Sequence, residues 1–386
     1  MDPEAISSDS HVAAAIATRR RSNSVSDDYS VQRTNDDATQ CKYFAVQKGY
    51  WKDDFISRFA NSSANVAEAR RFPEISMGYW ARTAAVEKYV REFLTEFDEN
   101  VQVISLGNNF YKDNNQAFWE FAEQRYSQKD NSIKKIKFSS FIFFKDYVSF
   151  FSILSSYLLG CGFDTLFWRL ASSGTKLAKY VEVDFSSVTS KKIRHILKPV
   201  GPGSIDLKKS FSSEAVVSHH ADLHAGNYHL VGADLRQANE LNQKLATCQL
   251  DHDLPTIFIA ECVLVYMSAD SSSSLLKQIV DNFRKPAFVN YEQFRTSDAF
   301  TKVMEQNLGE RGIQLHGLEM CESAEKQEER FRTAGFKTVK VLDMNQVFNT
   351  FLDKEEVSRI ANIEKLDEME LLEQLLAHYC IVFARF

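Results

Sequence analysis

A chain of 386 residues with 44% hydrophobic side chains can bury one large core or two small ones. Its 46 basic and 52 acidic residues are interspersed and leave a net charge of -6, which excludes the basic field that nucleic acid or an anionic membrane surface would require. The six cysteines (Cys41, Cys161, Cys248, Cys262, Cys321, Cys380) form no C-x-x-C pair and no signal-peptide pattern accompanies them, so they read as reduced thiols; the longest apolar run, Tyr147 to Leu159, is too short to span a bilayer.

Met1 to about Asp37 is rich in Ser, Asp, Ala and Arg, with Tyr29 as its one aromatic, and reads as a disordered tail preceding a single domain over 38–386. Within it Arg19-Arg-Arg-Ser-Asn-Ser24 could be phosphorylated, although a solvated tail explains it more simply. From Cys41 to Phe97 apolar residues recur at three- and four-residue spacing (Phe55, Phe59, Val86, Tyr89, Val90, Phe93, Leu94), which predicts helices that cap whatever sheet follows. Val101-Gln-Val-Ile-Ser-Leu-Gly107 predicts a buried strand running into glycine, and Gly160-Cys-Gly-Phe-Asp-Thr-Leu-Phe-Trp-Arg-Leu170 predicts the turn and helix that should follow it. Strands are then expected at Tyr180–Asp184, Tyr228–Asp234, Thr256–Glu261 and Ala287–Glu292, alternating with helices at Phe185–Leu197, Leu235–Cys248 and Ser268–Phe283. A helix over Glu322–Thr333 stops at Gly335, and a strand Thr338–Leu342, two acidic helices and a last strand His378–Ala384 close the chain. This ending resembles the plan of S-adenosylmethionine-dependent methyltransferases: an α/β, Rossmann-like, mostly parallel seven-stranded sheet whose final hairpin introduces one antiparallel strand.

A cofactor carrying adenosine needs a glycine turn beside its polar tail, an acid at the end of the second strand for ribose hydroxyls, and a polar group for the adenine edge. Gly160/Gly162, Asp184 and Asp234 occupy those places. Asp184 follows Gly162 by twenty-two positions, close to the separation of about twenty such folds use, whereas Gly107 lies much too far upstream. Helix capping is the plain alternative for either acid alone, and two acids at matching strand ends favour the cofactor. Glu261 ends an apolar strand and enters Cys262-Val-Leu-Val-Tyr-Met267, where such a carboxylate needs a cationic partner, either a cofactor amine or an arginine of the fold. Tyr266 would face the same crevice or join the core. His219, His220 and His224 imitate a metal cluster, but without a helical register or a nearby cysteine pair they read as a solvated loop, and no metal site is expected.

These residues sit inside longer strings: Cys41-Lys-Tyr-Phe-Ala-Val, Pro73-Glu-Ile-Ser-Met-Gly-Tyr-Trp-Ala-Arg82, Cys161-Gly-Phe-Asp-Thr-Leu-Phe-Trp-Arg-Leu170, Glu182-Val-Asp-Phe185, Gly232-Ala-Asp-Leu-Arg236, Ala260-Glu-Cys-Val-Leu-Val-Tyr-Met267 and Asn290-Tyr-Glu-Gln293. Together they resemble the leucine carboxyl methyltransferase family from about Asp37 to the C-terminus. The resemblance implies S-adenosyl-L-methionine as cofactor and, as substrate, the C-terminal leucine carboxylate of the protein phosphatase 2A catalytic subunit. It also implies that Lys42, Arg82, the first glycine of the turn (Gly107 or Gly160), Gly162, Asp184, Asp234, Leu235 and Glu261 contact the cofactor, with Arg82 and Tyr266 bordering the incoming carboxylate. A monomer in the cytoplasm, with the nucleus as a second compartment, is the expected setting. The related tRNA wybutosine-modifying methyltransferase, which carries an additional kelch-type region, is the neighbouring alternative.

The departure from the family is the interruption at 108–160, far longer than the few residues expected between a strand and its helix. Its composition shifts to phenylalanines (Phe138, Phe141, Phe143, Phe144, Phe150 and Phe151 among them) set in runs of Lys, Asn and Ser, and Leu106-Gly107 recurs as Leu159-Gly160. Excising the segment restores the family pattern from either side, so the expectation is an unspliced or mispredicted stretch; if translated, it would impair the cofactor turn and leave a phosphatase-binding protein of reduced activity.

Overall fold

The structure, a computed structural model, describes residues 38–60, 72–98, 100–107, 162–201, 203–213, 215–310, 314–366 and 369–386. The expected tail, the interruption at 108–160 and Cys161 lie outside the described residues. In chain order the described part runs α1 (38–47), α2 (Pro73–Glu96), β1 (Gln102–Leu106), α3 (Leu166–Ser172), β2 (Lys179–Asp184), α4 (Ser186–Leu197), β3 (Val217–His219), β4 (Asp222–Ala225), β5 (Tyr228–Gly232), α5 (Ala238–Thr247), β6 (Pro255–Glu261) and α6 (Ala269–Asn282). It continues through β7 (Lys285–Gln293), α7 (Ala299–Glu310), α8 (Ala324–Ala334), β8 (Thr338–Asp343), α9 (Lys354–Ala361), α10 (Met369–Ala377) and β9 (Tyr379–Arg385).

The strands form one sheet in the order β3-β4-β5-β2-β1-β6-β7-β9-β8. From β5 to β7 every pairing is parallel, while β9 runs antiparallel between β7 and β8. The seven strands from β5 to β8 in that order follow the methyltransferase plan read from the sequence, and β3 and β4 add an antiparallel hairpin to it. Period-two alternation splits each central strand between two core layers: Val103, Ile257 and Val289 face α2, whereas Ile104, Phe258 and Phe288 face α6 and α8. Burial on both faces is why these strands read as nearly unbroken apolar runs, each large apolar side chain contributing roughly 1.5–3 kcal/mol.

Pro73 opens α2 at a position where its missing N–H costs nothing, and the helix then lies between β7 and α10, which buries it on most sides. Ser268 caps α6 by accepting from Ser271 N at 3.2 Å, and Gly335, at φ +112°, ends α8 in the left-handed conformation that favours glycine.

Three expectations need correction. The histidine segment is not a loop: Val217–His219 and Asp222–Ala225 form a hairpin that extends the sheet beyond β5. The helix expected from Leu235 starts at Ala238, because Asp234 turns its carboxylate onto Arg236 and its carbonyl onto Gln237 N at 2.9 Å. The same turn ends the preceding strand at Gly232 rather than Asp234. Helix α7 was not foreseen.

Candidate active site

Parallel register brings the carboxyl ends of five strands to one edge, with Leu106 opposite both Val183 and Ala260, Asp184 opposite Gly232, and Glu261 opposite Tyr291. A doubly wound sheet opens its crevice at such an edge. Gly107 leaves β1 and donates its amide to Val183 O at 2.6 Å; Gly162, at φ +40°, donates to Asp184 Oδ2 at 3.0 Å. The two halves of the interrupted motif therefore meet on consecutive residues of β2. Gly160 lies outside the described residues. Asp184 is fully buried, and its other oxygen accepts from Phe185 N at 2.8 Å, so the carboxylate fastens the turn to the strand rather than capping α4.

Beyond the turn, Asp164 accepts from Leu166 N at 2.9 Å and pairs with Lys42 of α1 at 3.2 Å. Burial alone would raise its pKa, but Lys42, Arg169 and Lys192 outweigh that and hold the carboxyl well below the usual range. Lys192 reaches through the core to Asp164 O at 2.9 Å and to the carboxylate of Glu182. Burial pushes Glu182 up to about 7 in spite of that lysine.

Asp234 is held by Arg236 in a fork, Nε to Oδ1 at 2.8 Å and Nη2 to Oδ2 at 2.6 Å, and Leu235 beside it is buried. On the opposite side of the edge, Glu261 pairs with Arg82 of α2, whose guanidinium lies 4.8 Å from the ring centroid of Tyr291. Burial disfavours the charge on Arg82, yet Glu261 and the surrounding groups raise its pKa above the ordinary value, so it is permanently cationic. Tyr79, Tyr266, Tyr291 and Tyr379 all lie within its electrostatic reach. Burial pushes the Tyr266 and Tyr291 phenols well above their usual range, which keeps them protonated.

Of the residues expected at the site, Gly107, Asp184 and Glu261 end or follow strands at this edge, Gly162 is bonded to Asp184, Asp234 and Leu235 follow β5, Tyr266 lies on the turn after β6, and Lys42 and Arg82 pair with Asp164 and Glu261. The donor types suit the expected cofactor: carboxylates accept from hydroxyls, amines and ammonium groups, and a lysine pairs with a carboxylate. Four contributors were not foreseen. Asp164 and Arg236 stand within two residues of Gly162 and Asp234, a proximity that could have flagged them; Tyr291 and Tyr379, stacked with centroids 5.3 Å apart, come from distant strands and carried no local signal.

Among the described residues, ligand-type atoms of His224, His229 and Cys248 lie within 4.8 Å of one another, whereas the rings of His219 and His220 meet edge to face at the hairpin tip. His224 and His229 share a hydrogen bond of 2.8 Å, Cys248 donates to Lys244 O at 3.5 Å, and the Lys179 ammonium sits 3.3 Å from His229 Nε2, where its charge opposes a metal cation. Burial drives His229 down to about 3 and Cys248 up to about 12.

The family model described as leucine carboxyl methyltransferase matches residues 142–280. A Caenorhabditis elegans protein named Leucine carboxyl methyltransferase 1 is 74% identical over 385 residues, covering 100% of both chains. The Bos taurus protein of the same name is 34% identical over 359 residues, 93% of this chain and 90% of its own. Human tRNA wybutosine-synthesizing protein 4 is 30% identical over 362 residues, which span 92% of this chain but 44% of that protein.

Proposed function

The chain belongs to the leucine carboxyl methyltransferase family, and on that premise we propose that it esterifies the C-terminal leucine carboxylate of the protein phosphatase 2A catalytic subunit. The observation that carries this reading is Arg82, a permanently charged guanidinium buried among tyrosines at the carboxyl edge of the sheet and paired with Glu261. S-adenosyl-L-methionine, the family's cofactor, supplies the methyl group that the carboxylate oxygen receives.

A terminal carboxylate has a pKa of about 3.5 and is already an anion at neutral pH, so the chain need provide no general base. Its task is placement in a site of low water content. Arg82 would hold the anion, and Glu261 limits the guanidinium's net charge so that the attacking oxygen is not masked. Tyr266, which keeps its proton, borders the same place as a neutral donor. Asp184, Asp234, Leu235 and Gly162 would hold the adenosine part, Lys42 and Glu261 the amino-acid part. As the oxygen–methyl bond forms, the sulfonium–methyl bond would break, and the proposed products are S-adenosylhomocysteine and a leucine methyl ester that removes one negative charge from the phosphatase tail.

A protein partner is favoured over RNA by the net charge of -6. The proposed setting is a monomer in the cytoplasm, with the nucleus as a second compartment. Methyl transfer from labelled S-adenosylmethionine to the phosphatase, compared with a phosphatase whose terminal leucine is deleted, tests the reading. Base-labile label is expected on the intact tail alone; equal label on both, or label on tRNA instead, overturns it.

A further inference from the structure

Tyr266 sits on the short turn that leaves β6 after Glu261, and this turn begins in strain: Cys262 has φ +55°, a left-handed conformation that costs a non-glycine residue on the order of 1–3 kcal/mol. Such a conformation persists only where its surroundings over-determine it, and here they do. Cys262 N donates to Tyr291 O at 2.6 Å, Val265 N to Glu292 Oε1 at 2.7 Å, Arg330 Nη2 to Leu264 O at 3.1 Å, and Gly317 N to Val265 O at 2.8 Å. Glu292 and Arg330 also pair with each other at 2.8 Å, both side chains fully shielded from solvent, and Asn290 Nδ2 donates to Glu292 Oε2 at 3.2 Å. The turn straddles the two core layers: Val265 and Tyr266 belong to the Arg82 side, Val263, Leu264 and Met267 to the opposite one. A small rotation of its backbone would carry Tyr266 away from Arg82.

A buried ion pair is a poor device for stability, since apolar residues of the same volume often do as well. This pair does something apolar residues cannot, because each partner directs one bond to the other and one to the backbone of the turn. We propose that Glu292 and Arg330 are positioning residues that clamp the Glu261–Met267 turn, set the place of Tyr266 against Arg82, and thereby govern the rate of methyl transfer without touching substrate. The proposal rests on the methyltransferase reading and assigns a role to Asn290-Tyr-Glu-Gln293, a string whose function that reading leaves open.

The test compares the full chain with two variants that disturb the turn from opposite sides. Glu292→Leu/Arg330→Met removes both charges together and leaves neither unpaired. Gly317→Ala leaves the ions alone; at φ -102° alanine is allowed, but its Cβ would lie 2.7 Å from Met267 O and 2.8 Å from Leu264 O, pushing on the same turn. Each protein is assayed for melting, for S-adenosylmethionine affinity by calorimetry, and for kcat and KM on a leucine-terminated phosphatase. Folded variants are expected to bind the cofactor within about threefold of the parent while kcat falls at least tenfold, since a misplacement near 1 Å can cost on the order of a hundredfold. Parental kcat in either folded variant overturns the clamp, as does a loss of cofactor affinity as large as the loss of rate. Should the double variant not fold, Gly317→Ala decides alone. A parent chain that binds cofactor but methylates nothing overturns the reaction, and the clamp with it.

Discussion

Gly162 donates its amide to a carboxylate oxygen of Asp184 at 3.0 Å, so the acid at the end of β2 fastens the glycine turn to the sheet. Its second oxygen is equally engaged, by Phe185 N. Asp184→Asn keeps the shape but offers only one oxygen to two backbone donors. One of them is left unsatisfied in a fully buried place, at a cost of about 1–3 kcal/mol. The expected result is a melting temperature lowered by a few degrees and S-adenosylmethionine affinity reduced at least tenfold by calorimetry. Unchanged affinity would show that the turn does not depend on this carboxylate.

Arg82 offers a sharper separation of charge from shape. Arg82→Lys keeps a cation but loses the planar group that lies over Tyr291 and faces Glu261 through Nε. Arg82→Ala leaves Glu261 without its partner, and breaking a pair this buried costs roughly 3–5 kcal/mol. Transfer to a leucine-terminated phosphatase is expected to fall at least a hundredfold in Arg82→Ala and at least tenfold in Arg82→Lys. A lysine variant as fast as the parent would reduce the role of Arg82 to charge alone.

How much of this was legible in the sequence follows from where the signals lie. Glycine, Asp184 and Asp234 are spaced by the βαβ unit itself, so periodicity and counting find them. Glu261 announces itself as a carboxylate after an apolar strand, and its need for a partner is readable; that the partner is Arg82 of α2 is not, because a helix-to-sheet contact leaves no local trace. The edge hairpin was missed for a related reason. His219, His220 and His224 look like ligands or loop when read alone, and only pairing with β5 turns the segment into strand. The clamp on the turn was out of reach altogether, being assembled from β7 and α8 around one backbone.

Glu182 gives the pH dependence of this side of the molecule. Its folded pKa, about 7, lies above the ordinary value of 4.5, so the folded state holds a proton that the unfolded state releases. The stability this contributes is fully present below about 4.5 and is lost as pH rises through about 7. Melting temperatures of the parent and of Glu182→Gln, taken every half unit between pH 4.5 and 8, should diverge across that window, with the parent losing ground relative to the variant as pH rises. Parallel curves would show that Lys192, whose ammonium reaches the same carboxylate, keeps Glu182 ionised throughout.

The interruption at 108–160 can be tested by removal. Gly107 is bound to Val183 and Gly162 to Asp184, so the two ends of the gap are fastened to neighbouring residues of one strand. Two peptide units reach about 7 Å, so the joined chain keeps both bonds only where Gly107 and Gly162 lie within that reach. Joining them shortens the loop between two ordered points, which lowers the entropy cost of closing it by about 0.6 kcal/mol for each halving of its length. The chain lacking 108–160 is therefore expected to fold, to melt no lower than the full chain, and to bind S-adenosylmethionine and methylate a leucine-terminated phosphatase at least as well. Calorimetry and a labelled-methyl assay on both proteins check this. A shortened chain that loses cofactor binding while the full chain retains it would show that the segment belongs to the working protein and that Gly107 cannot serve as the first glycine of the turn.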